Sequence, residues 1–192
     1  RETCLAGIEK KLMDKWIVKS SENLIDNNWV KVRRDDVELP NGEEIKDFYV
    51  VSLNEAVAIV AVDGNDNLIL TKQYRHSYNK ELIEIPAGAF EKNEKDGLSV
   101  AKRELREETG YVSDEWLYLG PTIESSSKLT NYLHLYFAKD CRKVGEQQLD
   151  ATEELEAFLL PIETAVDMVM KNEICSNSSA HGILRVARML KK

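Results

Sequence analysis

Three glutamates are the clearest chemical feature of this sequence. Glu104, Glu107 and Glu108 stand at i, i+3 and i+4 in the run Arg103-Glu104-Leu105-Arg106-Glu107-Glu108-Thr109-Gly110-Tyr111. At ~3.6 residues per turn, a helix puts them on one face. Like charges at that spacing oppose the helix modestly, and Arg103 and Arg106 cannot neutralise all three. Carboxylate oxygens are hard donors suited to Mg²⁺ or Mn²⁺, and Mg²⁺ keeps waters and bridges to substrate phosphates. A solvated acidic helix face fits the same residues, and the helix alone leaves both readings open. The upstream Pro86-Ala87-Gly88 shifts the balance toward a cation. It ends a strand at the helix's approach, and a glycine there lets the backbone come close to a ligand or ion.

The elements that must position these residues follow from periodicity. Leu98 to Thr109 reads as the helix, with Leu98, Ala101, Leu105 and Thr109 in one stripe and Gly110 at the place of a left-handed C-cap. Before it, Ala56–Val62 reads as a buried strand, Leu68–Tyr74 as its hairpin partner, and Glu81–Ile85 as a short strand stopped by Pro86. Ala87 to Asp96 reads as a loop. After it, Trp116–Ile123, Tyr132–Ala138 and Glu154–Leu160 read as strands. Pro161 opens a helix to about Lys171. Ser178–Leu190 is a last helix with Ala180, Ile183, Leu184, Ala187 and Leu190 as its apolar face. Trp16 to Val51 is strand-like, with a turn at Leu39-Pro40-Asn41-Gly42-Glu43, and residues 1–15 read as a short helix or lead-in. Strands first and helices in the middle and at the end predict an α+β or mixed α/β sandwich.

Gly88, Glu94 and Arg103-Glu104-Leu105-x-Glu107-Glu108-x-Gly110-Tyr111 resemble the Nudix box, G-x5-E-x7-R-E-U-x-E-E-x-G-U, where U is bulky and apolar. Eight residues instead of seven separate Glu94 from Arg103. The extra one falls in Lys95-Asp96-Gly97, before the helix. The likeness extends through Gln73-Tyr74-Arg75 and Glu84-Ile85-Pro86-Ala87-Gly88. Upstream it takes in Trp29, Arg33-Arg34, Leu39-Pro40-Asn41-Gly42 and Phe48-Tyr49-Val50-Val51. These stretches are similar to ADP-ribose pyrophosphatase-like Nudix hydrolases. The resemblance implies an α/β/α sandwich over residues 53–192. It also implies an N-terminal antiparallel β appendage over residues 1–52, which in relatives builds a homodimer and contributes to the substrate pocket.

It further implies hydrolysis of a nucleoside diphosphate linked to a second moiety, with Mg²⁺ or Mn²⁺ as cofactor. Glu104 and Glu108 are then the main metal ligands, Glu107 is shared or water-mediated, and the backbone carbonyl of Ala87 completes the site. Arg103 orients a box glutamate. Arg75 lies near the phosphates or the terminal ribose, and Glu84 touches the nucleotide or the metal shell. The general base in similar pyrophosphatases often comes from a loop after the box. Glu153 and Glu154 occupy that place here, beside Glu107 and Glu108 as further candidates, and an acidic loop fits them equally. ADP-ribose is the first-choice substrate on overall likeness. The proline that ADP-ribose-cleaving members often carry after the box is replaced by Ser125-Ser126-Ser127, so other nucleoside diphosphate sugars stay open, as does an idle fold that only binds.

The 192 residues fit one domain with a small appendage. A net charge of -8 repels nucleic acid and anionic membranes, so an anionic substrate needs cations in between. Cys4, Cys141 and Cys175 are odd in number and far apart, which implies reduced thiols and a cytoplasmic protein. No apolar run is long enough to span a bilayer. The histidines His76, His134 and His181 are isolated. Trp16, Trp29, Phe48 and Tyr49 fit strand packing or base stacking alike.

Overall fold

The structure is a computed structural model describing residues 14–191. The lead-in expected over residues 1–15 and Cys4 lie outside the described residues, apart from Asp14 and Lys15, which have no regular structure. The chain divides into two compact units, one ending at Ser52 and one beginning at Leu53.

The second unit is organised around β4 (Ala56–Asp63), buried along nearly its whole length. Val57, Ile59 and Ala61 enter one core; Ala58, Val60 and Val62 enter another on the opposite face. A strand apolar at both parities has to be covered on both sides. β5 (Asn67–Arg75) folds back on β4 through the Asp63 turn, where the Asp63 carboxylate accepts the N–H groups of Asn65 and Asn67 at 2.8 and 2.9 Å. β10 (Leu133–Lys143) runs parallel to β4 on its other side, which makes the sheet mixed.

The sheet has eight strands. β11 (Leu155–Pro161), β5, β4, β10 and β8 (Tyr111–Val112) follow one another; β6 (Lys80–Glu84) pairs with β5, β7 (Ala87–Ala89) with β4, and β9 (Glu115–Thr122) with β10. Helix α1 (Gly97–Thr109) covers one face through Val100, Ala101 and Leu105. Helices α2 (Ile162–Met170) and α3 (Asn177–Leu190) cover the other. The result is an α/β/α sandwich.

Two expectations are corrected. β7 falls within the stretch expected as a loop, and β8 follows the Gly110 cap where no element was expected, both being too short for periodicity to reveal. The face of α3 is rotated: Ser179, Gly182, Ile183, Val186 and Ala187 are buried, while Leu184 is 38% exposed. Gly182 lets the helix settle on the sheet, since a methyl there would stand 2.7 Å from the Val60 Cγ2. The Ser179 hydroxyl accepts the Ile85 N–H at 3.1 Å. Among the described residues no helix is long and apolar enough to cross a membrane.

The first unit is a three-stranded antiparallel sheet in the order β1 (Ile17–Asp26), β2 (Val30–Glu38), β3 (Glu44–Leu53). Trp16 packs edge-on against Phe48. Asp35 is buried and accepts hydrogen bonds from Ser21 and Arg33. All ten residues of β1 are exposed.

Candidate active site

Helix α1 begins where Asp96 accepts the Leu98 and Ser99 N–H groups and ends at Gly110, whose φ of 75° is the left-handed C-cap conformation. Between these caps the helix burial pattern separates the glutamates. Glu104 and Glu108 are buried against β7 and β4, and Glu107 is half-exposed. Gly88 explains how Glu104 fits. A Cβ at position 88 would fall on the Glu104 carboxyl, so only a glycine leaves room for that carboxylate beneath the strand. The next carboxylate, Glu108, accepts the Ala87 N–H at 3.0 Å. Strand β7 thus provides a place for each buried carboxylate, one through a missing side chain and one through a main-chain donor.

Arg103 organises the rest. Its Nε and Nη2 donate to both oxygens of Glu94 at 3.0 Å each. Its Nη1 meets Glu104 at 2.8 Å and Glu107 at 2.9 Å. The Glu94 partnership forms despite the lengthened spacing, holds the Glu94 carboxyl below the usual range and raises the guanidinium's affinity for its proton. Glu94 also accepts the Glu91 N–H at 2.9 Å within a turn, so its carboxylate is fixed from both sides.

Burial pushes Glu104 up to about 7 and Glu108 up to about 8. Arg103 works against the rise at Glu104, and the Ala87 N–H against that at Glu108, but each is raised further by neighbouring carboxylates. Glu153 is among those neighbours for both. Two desolvated carboxylates with a third in electrostatic reach form a site short of positive charge.

The helix places the three glutamates on one face, as their spacing requires, yet their carboxylates do not converge. Arg103 draws Glu104 and Glu107, while Ala87 takes Glu108. Among the described residues no three acidic, imidazole or thiol groups stand ready-made around one point. The donor set nevertheless suits a hard cation: the carboxylate oxygens of three glutamates on one helix face, one of them seated in the room that Gly88 leaves.

The flanking candidates divide. Arg75 donates from Nε to Glu84 at 2.7 Å, and its charge opposes the rise at Glu108, so it faces the carboxylate cluster. Arg75 and Glu84 also line a cleft of about 400 Å³ with Tyr78, Lys80, Glu124 and Asn177. Burial and the Glu84 charge raise Glu124. Glu153 lies on the segment between β10 and β11, held by its N–H on the Asp150 carbonyl (2.9 Å) and by the Asp150 N–H on its carboxylate (3.1 Å). Glu154, the adjacent residue, instead lines a separate groove with Lys72, Tyr74 and Glu81. The structure therefore groups Glu104, Glu107, Glu108, Arg103, Ala87, Arg75, Glu84 and Glu153, and sets Glu154 apart. Sequence reasoning missed Glu124 and Gln147, for which no motif or spacing gives a signal. The Cys141 thiol is buried and pushed up to about 12, which leaves it inert.

Comparison with known proteins agrees with this fold. Residues 52–175 match the NUDIX domain, and residues 16–51 match the nucleoside diphosphate sugar hydrolase N-terminal domain. A methanol dehydrogenase activator of Bacillus methanolicus is 34% identical over 85% of this chain and 88% of its own. An ADP-ribose pyrophosphatase of Bacillus subtilis is 31% identical over 91% of this chain and 92% of its own. A crystal structure of an ADP compounds hydrolase has the same fold, with a TM-score of 0.79 over 94% of this chain and 97% of that one at 21% identity. With its glutamate helix folded beneath Gly88 and a family match spanning residues 52–175, the chain belongs to the Nudix family.

Proposed function

We propose that this chain hydrolyses the pyrophosphate of a nucleoside diphosphate linked to a second moiety, with ADP-ribose, cleaved to AMP and ribose 5-phosphate, as its substrate. The observation that carries this reading is the buried pair Glu104 and Glu108 under β7, short of positive charge and flanked by Arg75 and Glu153. The substrate rests on similarity to the ADP-ribose pyrophosphatase of Bacillus subtilis along most of both chains.

Glu104, Glu107 and Glu108, with the Ala87 carbonyl, would hold Mg²⁺ or Mn²⁺. When bound, the cation neutralises phosphate oxygens and lowers the pKa of water. Arg103 fixes the glutamates in place through Glu94. Arg75, held by Glu84, offers its remaining N–H groups to a phosphate. Glu153 accepts the proton of the attacking water. The Glu84–Glu124–Asn177 cleft takes the sugar, its carboxylates accepting hydroxyl donors. The exposed β1 and the match of residues 16–51 support a homodimer built by the N-terminal sheet. The reduced-thiol composition supports a cytoplasmic location.

The test is a substrate panel with Mg²⁺, Mn²⁺ or chelator, following phosphate released after added phosphatase. The panel holds ADP-ribose, ADP-glucose, GDP-mannose, UDP-glucose, NADH and diadenosine polyphosphates. Metal-dependent cleavage of ADP-ribose above the others is the expected result. Preference for another sugar nucleotide overturns the substrate, and cleavage of none overturns the activity. Light scattering of the purified chain reads the dimer.

A further inference from the structure

The segment carrying Glu153 has no regular structure over residues 144–154, yet a base must be held within tenths of an ångström of its working place. The structure places the fixings of this segment on the C-terminal turn of α1. A helix leaves its last carbonyls without intrahelical partners, and here the segment supplies donors to three of them. The Val144 N–H donates to the Gly110 carbonyl at 2.9 Å, and the Gln148 N–H to the Glu107 carbonyl at 2.8 Å. Between these, the Gln147 side-chain amide donates from Nε2 to the Glu108 carbonyl at 2.6 Å and to the Leu155 carbonyl at 3.3 Å. Gly110 makes the approach possible, because a Cβ there would fall on the Gly145 carbonyl oxygen.

The two carbonyls joined by Gln147 have particular owners. Glu108 is the buried carboxylate residue that accepts the Ala87 N–H. Leu155 opens β11, two residues after Glu153. One NH₂ group thus ties the end of the glutamate helix to the end of the segment that carries the base. The main-chain bonds fix only the segment's beginning, and the Asp150–Glu153 turn closes locally on itself. Gln147 alone among the bonds described for this segment links the helix directly to its far end.

We infer that Gln147 is a positioning residue: its amide sets the distance between the Glu108 end of α1 and Glu153, and so the rate of the chemical step. This rests on the reading of Glu153 as the base. Its requirements are a donor and a length. Methionine has the length without the donor. Lysine has a donor at slightly greater length, and its charge suits a helix C-terminus.

The experiment pairs steady-state kinetics on ADP-ribose in Mg²⁺ with hydrogen exchange of the same preparations. Gln147→Met is expected to lower kcat ten- to a hundredfold, the scale of a misplacement of about 1 Å, with KM within twofold of wild type. Amides of residues 149–154 should exchange about tenfold faster, the scale of losing one to two hydrogen bonds, while those of residues 100–106 keep their rates. Gln147→Lys is expected to keep slow exchange and at least a third of wild-type kcat. A Met variant with unchanged kcat overturns the inference. So does a Lys variant as impaired as Met, or a loss expressed in KM instead of kcat. If wild type cleaves no ADP-ribose, the substrate reading fails by itself. The exchange pattern then still decides whether Gln147 holds the segment, and unchanged exchange in the Met variant overturns that.

Discussion

Replacing Gly88 by alanine adds one methyl group at the point where strand and helix meet. The backbone tolerates it, since Gly88 is not among the glycines with left-handed φ. The obstacle is the Glu104 carboxyl, which occupies the place of the new methyl. To restore ordinary contact the carboxylate must withdraw by about 1 Å or more, the displacement that costs on the order of a hundredfold in rate at a catalytic group. The fold loses little, because the moving atoms end a flexible side chain, and Gly→Ala returns about 0.4–1 kcal/mol through the unfolded chain. Gly88→Ala is therefore expected to lower kcat at least thirtyfold and to weaken Mg²⁺-dependent stabilisation. Its metal-free Tm should stay within about 4 °C of wild type, the shift of roughly 1 kcal/mol for a chain of this size. Gly182→Ala is the matched control. Its methyl meets Val60, Leu135 and Ile85 at 2.7, 3.2 and 3.4 Å, all in the core behind the other face of the sheet. Overpacking there costs about 1–3 kcal/mol, and kcat at a permissive temperature is expected to stay within twofold. Kinetics and thermal melts of both variants in EDTA and in Mg²⁺ decide the matter. A Gly88→Ala enzyme with near-normal kcat, or one that melts as early as Gly182→Ala while Gly182→Ala loses equal activity, refutes the role given to this glycine.

Three further perturbations separate the roles of the carboxylates. Glu153→Gln is expected to lower kcat at least a hundredfold and Glu154→Gln less than threefold, as the Glu153 charge acts on Glu104 and Glu108 while Glu154 lines a separate groove; equal effects in steady-state assays discard the segment as source of the base. Glu104 and Glu108, at about 7 and about 8 in the folded protein, lie above their unfolded value of about 4.3. The folded protein then holds more protons than the unfolded one from about pH 4.5 to 8. Its metal-free stability should fall as pH rises across that window, Mg²⁺ should reduce the fall, and Glu108→Gln should reduce it without metal while abolishing turnover. Melts at stepped pH check this, and an undiminished fall in Glu108→Gln contradicts it. Glu94→Gln keeps shape but removes the charge facing Arg103; kcat should drop about tenfold with folding retained, and a wild-type rate would leave the clamp without function.

Much of the architecture was legible because burial is written into period. The two parities of β4, the stripe of α1 and the Gly110 cap all follow from residue types that packing leaves no freedom to change. What escaped has physical causes. β7 and β8 have three and two residues, too few for an alternation of faces to stand out as a pattern. The α3 face escapes its apolar periodicity because two of its buried positions are Ser179 and Gly182, buried for a hydrogen bond and for closeness and not for hydrophobicity. At the site, the glutamates were legible as a set, but their partners were not. That Arg103 takes two of them and Ala87 the third depends on the path of the chain between residues 87 and 103, and Gln147 acts from a segment whose sequence has no periodicity.

The lengthened interval between Glu94 and Arg103 shows what the spacing of such a motif measures. The constraint is a bidentate contact of 3.0 Å between two side chains, not a count of residues. A residue inserted within α1 would turn the helix by about 100° and carry the glutamates off their face. Here the extra residue falls within Lys95-Asp96-Gly97, around the N-cap and ahead of the glutamates, and the Glu91–Glu94 turn brings the Glu94 carboxylate back to the guanidinium. The helix starts afresh from its own cap, so register within it is untouched. The same logic limits where this chain can vary without losing its site. A change of length around the N-cap is tolerable, whereas an added residue inside α1 turns the glutamates off their face, and one between Gln147 and Leu155 lengthens the stretch that the Gln147 amide spans.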